Sequence, residues 1–298
     1  MRWTINDSGS QAGRLAVVTG ANIGLGYETA LALAGRGCAV VLACRNLDKA
    51  KAASARLRAQ HSAAEIECME LDLTRLKSVH HFATTFAKRY QSLDLLINNA
   101  GIMMPPYALS EDGFESQLAA NHLGHFAMTG LMLPLLANIP GSRIVSLSSL
   151  AHKWGEIRLD DPQFEKGYSR YAAYCQSKLA CLIFSYELNR RLQAADIKTL
   201  SVAAHPGVAA TNLAHYFPKF LSIFFPLVCQ SAADGALPTL YAALGSDING
   251  GDYCGPRSMG QMRGAPIKVG SNRRSRDEAT AKKLWRMSEQ LSHVQYRF

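Results

Sequence analysis

Leu15-Ala-Val-Val-Thr19 runs directly into Gly20-Ala-Asn-Ile-Gly24-Leu-Gly26, so a short apolar run rich in β-branched residues empties into three closely spaced glycines. From Tyr27 onward Leu31 and Ala34 carry a helical stripe, which sets the glycines between a strand and a helix. A loop in that position can cradle a phosphate. Gly20 permits the tight turn, Gly24 lets backbone N–H groups approach a pyrophosphate, and Gly26 lets helix and strand pack closely, with the helix N-terminus supplying positive potential. The spacing is Gly-x-x-x-Gly-x-Gly rather than Gly-x-Gly-x-x-Gly, and a glycine turn without a ligand is the plain alternative.

Ala39-Val-Val-Leu-Ala43 reads as the second strand and ends at Cys44-Arg45, about twenty residues past the glycines. A chain that binds NAD places a carboxylate there for the ribose 2′-hydroxyl. Arg45 instead offers a planar fork that pairs with a 2′-phosphate, so NADP(H) is the expected cofactor. The bland alternative is an exposed arginine at a strand end. Asn46 reads as a helix N-cap, and 48–60 as a solvated helix with an Ala-rich face.

Ile66-Glu-Cys-Met-Glu-Leu71 begins a third strand and leads into Asp72-Leu73, with a helix over 76–90 that carries Leu76, Val79, Phe82, Ala83 and Phe86 on one face. Asp72 either accepts a hydrogen bond from an adenine amino group or caps that helix. Leu93-Asp-Leu-Leu-Ile97 is the fourth strand and opens into Asn98-Asn99-Ala100-Gly101, where two carboxamides among small residues can satisfy backbone groups and approach a ligand. Strands alternating with helices imply an α/β class fold: a doubly wound parallel sheet with helices on both faces and right-handed crossovers. Its binding crevice lies beyond the carboxyl ends of the strands. Each residue singled out so far falls at such an end.

A long helix over 113–136 holds Asn121 among Leu118, Leu123 and Phe126, which points to a buried carboxamide with a specific partner. His122 and His125 have no further ligands nearby in sequence and read as structural, so no metal is expected. Arg143-Ile-Val-Ser-Leu-Ser148 is the fifth strand, and the hydroxyls of Ser148 and Ser149 can bond a substrate oxygen at the crevice. After a loop over 150–168, a helix from about 169 carries Tyr174 and Lys178 four apart, on one face. A phenol is a poor acid or base at neutral pH, and an ammonium beside it favours the phenolate. The pair reads as a proton-transfer device, although the same spacing is common on solvated helix faces.

Lys198-Thr-Leu-Ser-Val-Ala-Ala204 is the sixth strand, closed by His205-Pro206-Gly207. The stretch 208–230 is apolar and irregular, and its run from Phe220 to Val228 is too short to span a bilayer. It suits, in that order, a lid over a lipophilic pocket, a peripheral membrane contact or a dimer interface. A helix over 231–244, a short apolar piece at Tyr253 and an amphipathic helix over 277–291 complete one domain over 13–298, behind an N-terminal arm at 1–12.

With 298 residues, 48% of them apolar, the chain can bury a sizeable core. The seven cysteines are odd in number and scattered, with no Cys-x-x-Cys pair, so they read as reduced and mostly buried. The opening residues lack the apolar run of a signal peptide, and a cytoplasmic protein is expected. The net charge of +9 is dispersed. Its densest group, Arg273, Arg274 and Arg276, has no interleaved aromatics and reads as a solvated tail, so no nucleic-acid partner is expected.

Taken in order, the glycine loop, Asn98-Asn-Ala-Gly101, Asn121, Ser149, Tyr174 and Lys178 resemble the short-chain dehydrogenase/reductase family over roughly residues 13 to 255. Thr19-Gly-Ala-Asn-Ile-Gly-Leu-Gly26, Ala43-Cys-Arg45, Leu147-Ser-Ser-Leu-Ala-His152, Tyr174-Cys-Gln-Ser-Lys178 and His205-Pro-Gly207 are similar to its retinol dehydrogenase and WW-domain oxidoreductase branch. The resemblance implies a single-domain Rossmann fold in which Tyr174 is the general acid/base and Lys178 tunes it and holds the nicotinamide ribose. Ser149 would orient the substrate oxygen, and Asn121 would support Lys178 through an ordered water. It further implies that Gly20, Asn22, Ile23, Gly24, Gly26, Arg45, Asp72, Leu73 and Asn99 hold the cofactor, with Val208 and Thr211 near the nicotinamide amide. A symmetric homo-oligomer is also expected.

The leading expectation is an NADP(H)-dependent oxidoreductase acting on a carbonyl or alcohol of a lipophilic small molecule, retinoid- or steroid-like. Two others stand beside it: reduction of a ring carbon–carbon double bond, as in protochlorophyllide reductases, and a nucleotide-bound interaction protein without turnover.

Overall fold

Strand β1 (Leu15–Thr19) pairs in parallel with β2 (Ala39–Cys44) on one side and β4 (Leu95–Asn98) on the other. The chain therefore leaves β1 in one direction across the sheet and later returns to its opposite side, opening a crevice beyond the strand ends at that point. With β3 (Ile66–Glu70), β5 (Arg143–Leu147), β6 (Leu200–Ala204), β7 (Tyr253–Ser258) and β8 (Arg263–Lys268) the sheet has eight strands in the order β3-β2-β1-β4-β5-β6-β7-β8. This computed structural model describes residues 3–208 and 229–298.

Alternation along the strands divides the core. Ala16 and Val18 of β1, Val40 and Leu42 of β2, and Leu95 and Ile97 of β4 face α1 (Gly24–Gly35) and α2 (Leu47–Gln60). Val17, Val41 and Leu96 face the opposite layer, built from α3 (Leu76–Arg89), α4 (Gly124–Leu136) and α5 (Arg170–Ala194). A strand buried on both faces has no polar side to offer, which is why these runs are continuously apolar. Helix α6 (Ala232–Leu244) joins the first layer, and α7 (Glu278–Ser292) lies over α4 and α5, where Trp285 packs edge-on against Phe126 and stacks on Phe184.

Three segments differ from the sequence reading. The apolar piece at Tyr253 is a full strand, β7, and pairs antiparallel with β8, so the sheet is not wholly parallel. Pro256 and Pro266 face each other in that ladder, as an edge allows. The helix expected over 113–136 starts at Ser116–Leu118 and passes through a π-helical turn, Ala119–Leu123, before α4. The loop after β5 begins with a 3-10 helix, Leu150–Trp154. The apolar stretch 208–230 lies outside the described residues except for Val208, Cys229 and Gln230. Among the described residues no helix is long and apolar enough to cross a membrane.

Candidate active site

The glycine loop leaves β1 with Gly20 at φ +65 and Gly24 at φ +60, left-handed conformations that L side chains rarely adopt. A Cβ on Gly26 would lie 2.5 Å from the Gly20 carbonyl oxygen and 2.5 Å from Asn99 Nδ2, so the first turn of α1 can seat itself against the loop only without a side chain there. Ile23, the N-cap of α1, provides no side-chain cap, and the first turn carries no acid. The helix therefore begins with uncapped backbone N–H groups aimed out of the sheet edge, a donor set that fits a pyrophosphate. Ile23 itself is 67% exposed.

Thr19, the last residue of β1, ties this loop to the rest of the site. Its hydroxyl accepts from the backbone N–H groups of Asn99 (2.9 Å) and Ala100 (2.8 Å) and lies 2.9 Å from His125 Nε2. His125 Nδ1 lies 3.1 Å from the Asn121 carbonyl, so Nδ1 carries the proton and Nε2 accepts from Thr19. Burial pushes His125 down to about 4, with the Lys178 charge acting the same way and the Asn121 carbonyl opposing, which keeps the ring neutral as this pattern requires. The Asn99 carboxamide donates to the Thr19 carbonyl at 2.7 Å.

The π-helical turn holds Asn121 against two segments at once. Its Oδ1 accepts from Ile102 N at 2.8 Å, while Nδ2 donates to the Ile102 carbonyl (3.0 Å) and to Ser177 Oγ (2.9 Å). Its main-chain carbonyl accepts from Cys181 Sγ as well as from His125. A Cβ on Gly101 would fall 3.0 Å from Asn121 Oδ1 and 3.3 Å from Lys178 Nζ, so the turn after β4, the carboxamide and the ammonium meet at one point.

Helix α5 starts at its N-cap Ser169, whose side chain accepts from Ala172 N, and brings Tyr174 and Lys178 to the end of β5. Lys178 is only 6% exposed and forms no ion pair among the described residues. Nζ donates to the Leu147 carbonyl at 3.1 Å, and the Lys178 carbonyl accepts from Ser148 Oγ at 2.7 Å. Two of its three N–H donors remain for a ligand. Ser149 follows in the chain. Its Oγ accepts from Ala151 N at 3.2 Å, which leaves the hydroxyl proton free to donate. The half-buried Tyr174 hydroxyl has no hydrogen-bond partner among the described residues. Phenol, serine hydroxyl and ammonium together can exchange a proton with an oxygen and hold that oxygen in place.

A second group of rings packs behind Ser149. His152 Nδ1 donates to the Ser149 carbonyl at 2.7 Å, and its ring meets Tyr253 edge-on at 5.5 Å. Tyr253 in turn packs on His205, which burial, aided by His152, pushes down to about 3. His122 is bonded through Nε2 to Ser288 at 2.8 Å, and burial, with His125 beside it, pushes it down to about 3. His122 and His125 thus serve different partners. All seven cysteines are free, and Cys38, Cys44, Cys175, Cys181 and Cys254 are buried.

The other expected site residues that the structure describes lie along the same sheet edge. Asn22 is in the loop, and Arg45 is exposed directly after β2. Asp72 Oδ1 accepts from Thr74 N (3.0 Å) and Oγ1 (2.6 Å), forming a local turn, while Arg75 holds the N-cap position of α3 without a side-chain bond and Asp112 Oδ2 accepts from Leu76 N at 2.7 Å. Leu73 is buried, its carbonyl against Gly124. Val208 N donates to the Met262 carbonyl at 2.8 Å and its carbonyl accepts from Gln230 N at 2.9 Å, so any further contact falls to the carbonyl's second lone pair or the side chain. Thr211 lies outside the described residues. The sequence reading passed over Thr19, His125, Ser177 and His152 as site residues. Thr19, His152 and Ser177 sit inside the quoted motifs, and their positions were the available signal.

A family model described as short chain dehydrogenase matches residues 14–220. The chain is 40% identical to human retinol dehydrogenase 13 over 288 residues, covering 94% of this chain and 84% of that protein. It is 44% identical to mouse retinol dehydrogenase 11 over 234 residues, covering 78% of this chain and 73% of the relative. Among solved structures, an uncharacterized protein of Mycobacterium paratuberculosis superposes with a TM-score of 0.85 at 44% identity, covering 100% of both chains.

Proposed function

The chain belongs to the short-chain dehydrogenase family, and on that premise we propose that it is an NADP(H)-dependent oxidoreductase interconverting a carbonyl and an alcohol on a lipophilic small molecule. The observation that carries this reading is the buried Lys178, whose ammonium donates to the Leu147 carbonyl and whose main-chain carbonyl accepts from Ser148 Oγ, which ties the helix bearing Tyr174 to the strand end that leads into Ser149.

When bound, the nicotinamide supplies or takes the hydride. The protein's own part is to hold the substrate oxygen and move one proton. Ser149 donates its free hydroxyl proton to that oxygen as a hydrogen bond. In reduction Tyr174 gives its phenolic proton to the oxygen, and in oxidation it takes the proton back; Lys178, close in charge and poor in other partners, stabilises the phenolate left behind. Asn121 keeps the Tyr174–Lys178 turn in register through Ser177 and supports Lys178 through a water. The uncapped start of α1 with Gly20, Asn22, Ile23, Gly24 and Gly26 receives the pyrophosphate. Arg45 receives a 2′-phosphate. Asp72 and Leu73 flank the adenine, Asn99 braces the loop, and Val208 and Thr211 lie toward the nicotinamide amide.

The likeness to retinol dehydrogenases supports a retinoid- or steroid-like substrate class. One domain over 13–298, with a lid at 208–230, a homo-oligomeric state and cytoplasmic residence, with peripheral membrane contact as the second use of that stretch, completes the reading. The test is a panel of aldehydes, ketones and lipophilic alcohols followed by NADPH absorbance with purified protein. Turnover of a lipophilic carbonyl or alcohol is expected. NADPH binding without turnover of any member would favour the interaction protein instead.

A further inference from the structure

We propose that Arg56 is a second cation of the subsite for the adenosine 2′-phosphate, acting with Arg45 from the other side of the glycine loop; this rests on the NADP(H) reading above. Arg56 is an exposed residue of α2, ten residues past its Asn46 cap, and its side chain reaches back to the start of α1. Nη2 donates to the Asn22 carbonyl at 3.1 Å, and the guanidinium carbon stands 4.4 Å from the centroid of the Tyr27 ring. Gln60, one turn further along α2, donates to the Tyr27 hydroxyl at 3.2 Å and fixes the ring from the same side. A guanidinium held by a carbonyl and an aromatic face is preorganised, and Arg has five N–H donors, so one bond to Asn22 leaves most of the fork available.

Charge balance points the same way. Among the described residues Arg56 has no carboxylate partner, and Arg45 has neither a hydrogen bond nor an ion pair. The nearby acids do not neutralise them: Asp48 on the first turn of α2 and Glu70, opposite Cys44 in the β2–β3 ladder, form no ion pair with either. The two arginines flank one feature. Gly20 N donates to the Ala43 carbonyl at 2.8 Å, so the start of the loop bearing Asn22 and the end of the strand bearing Arg45 are hydrogen-bonded neighbours. A doubly charged phosphate monoester between them would meet the Arg45 fork and the N–H groups that Arg56 does not spend on Asn22. A pyrophosphate, by contrast, is served by the backbone N–H groups at the start of α1 and needs neither.

The test uses two ligands that differ only in that phosphate, 2′,5′-ADP and 5′-AMP, titrated by calorimetry into the full chain as wild type, Arg56→Gln, Arg56→Lys and Arg45→Ala. Wild type is expected to prefer 2′,5′-ADP. Arg56→Gln should weaken 2′,5′-ADP binding about tenfold while leaving 5′-AMP binding and the circular dichroism spectrum unchanged, and Arg56→Lys should restore part of the loss. Equal weakening of both ligands would make Arg56 a brace for the Asn22 loop only, and unchanged binding of both would make it a bystander; either overturns the proposal. A wild type that does not discriminate the two ligands would instead overturn the NADP(H) reading itself, and Arg45→Ala read alone distinguishes that case from a failure confined to Arg56.

Discussion

Asn121 Nδ2 donates to Ser177 Oγ at 2.9 Å, and Ser177 Oγ donates to the Tyr174 carbonyl at 2.8 Å, so the π-helical turn grips the helical turn that carries the phenol. Ser177→Ala removes both bonds and leaves a buried N–H of Asn121 without its partner. A loss of roughly 1–3 kcal/mol in urea unfolding is expected, with turnover reduced about tenfold and NADPH affinity kept. Unchanged stability would show that the bridge is not holding the turn.

Tyr174→Phe keeps the ring and removes the proton. Turnover should fall by about 10²–10⁴-fold, while NADPH binding followed by fluorescence stays close to wild type. Retained activity would mean that another group supplies the proton.

Arg45→Asp converts the proposed 2′-phosphate partner into an acceptor for a ribose hydroxyl. The ratio of kcat/KM with NADPH to that with NADH should drop by at least about tenfold, as loss of a charge-assisted bond and gain of repulsion require. A ratio that does not move counts against the cofactor assignment.

Gly26→Ala places a methyl 2.5 Å from the Gly20 carbonyl oxygen, a backbone atom that cannot swing aside. The loop must shift, at a cost of about 1–3 kcal/mol, and NADPH affinity should fall steeply. Thermal unfolding with and without NADPH checks both effects. Wild-type melting together with wild-type affinity would contradict the packing described for this turn.

Acid should destabilise the protein earlier than its carboxylates alone would. His122, His125 and His205 are neutral in the fold, held near 3, 4 and 3, whereas in the unfolded chain they take up protons below about 6.5. The unfolded state then binds more protons, so stability is full above about 6.5 and falls as pH drops toward the folded values, by roughly 2 kcal/mol per histidine between pH 7 and 5. Melting temperature measured across that interval should decline, and His122→Gln should flatten the slope. A melting temperature independent of pH from 7 to 5 would be inconsistent with three buried neutral rings.

The amino-acid sequence by itself determined most of the scaffold and the positions of the candidate site residues. β1 falls at Leu15–Thr19 as its β-branched run dictates, and α7 falls within one residue of its expected bounds. Asn121, Tyr174 and Lys178 were legible because a buried carboxamide and an i, i+4 phenol–ammonium pair are local patterns, each readable from a few neighbouring residues. β8 was not legible, since Gly264 and Pro266 erase the alternation that marks a strand and only its ladder with β7 makes it one. The π-helical turn at Ala119–Leu123 likewise has no local signature.

Only the tertiary structure decided how the site is braced. Thr19 reaches His125 across 106 positions, Asn121 reaches Ser177 across 56, and Arg56 reaches Asn22 across 34. A hydroxyl, an imidazole or a guanidinium can bond many partners, and its residue type does not say which. The choice is made when the sheet order brings the ends of β1, β4 and β5 to one edge and burial obliges each polar group there to find a mate. The glycines after Thr19 could therefore mark a candidate phosphate loop from sequence alone, but the bonds that brace this loop and the turn carrying the phenol exist only in the folded chain.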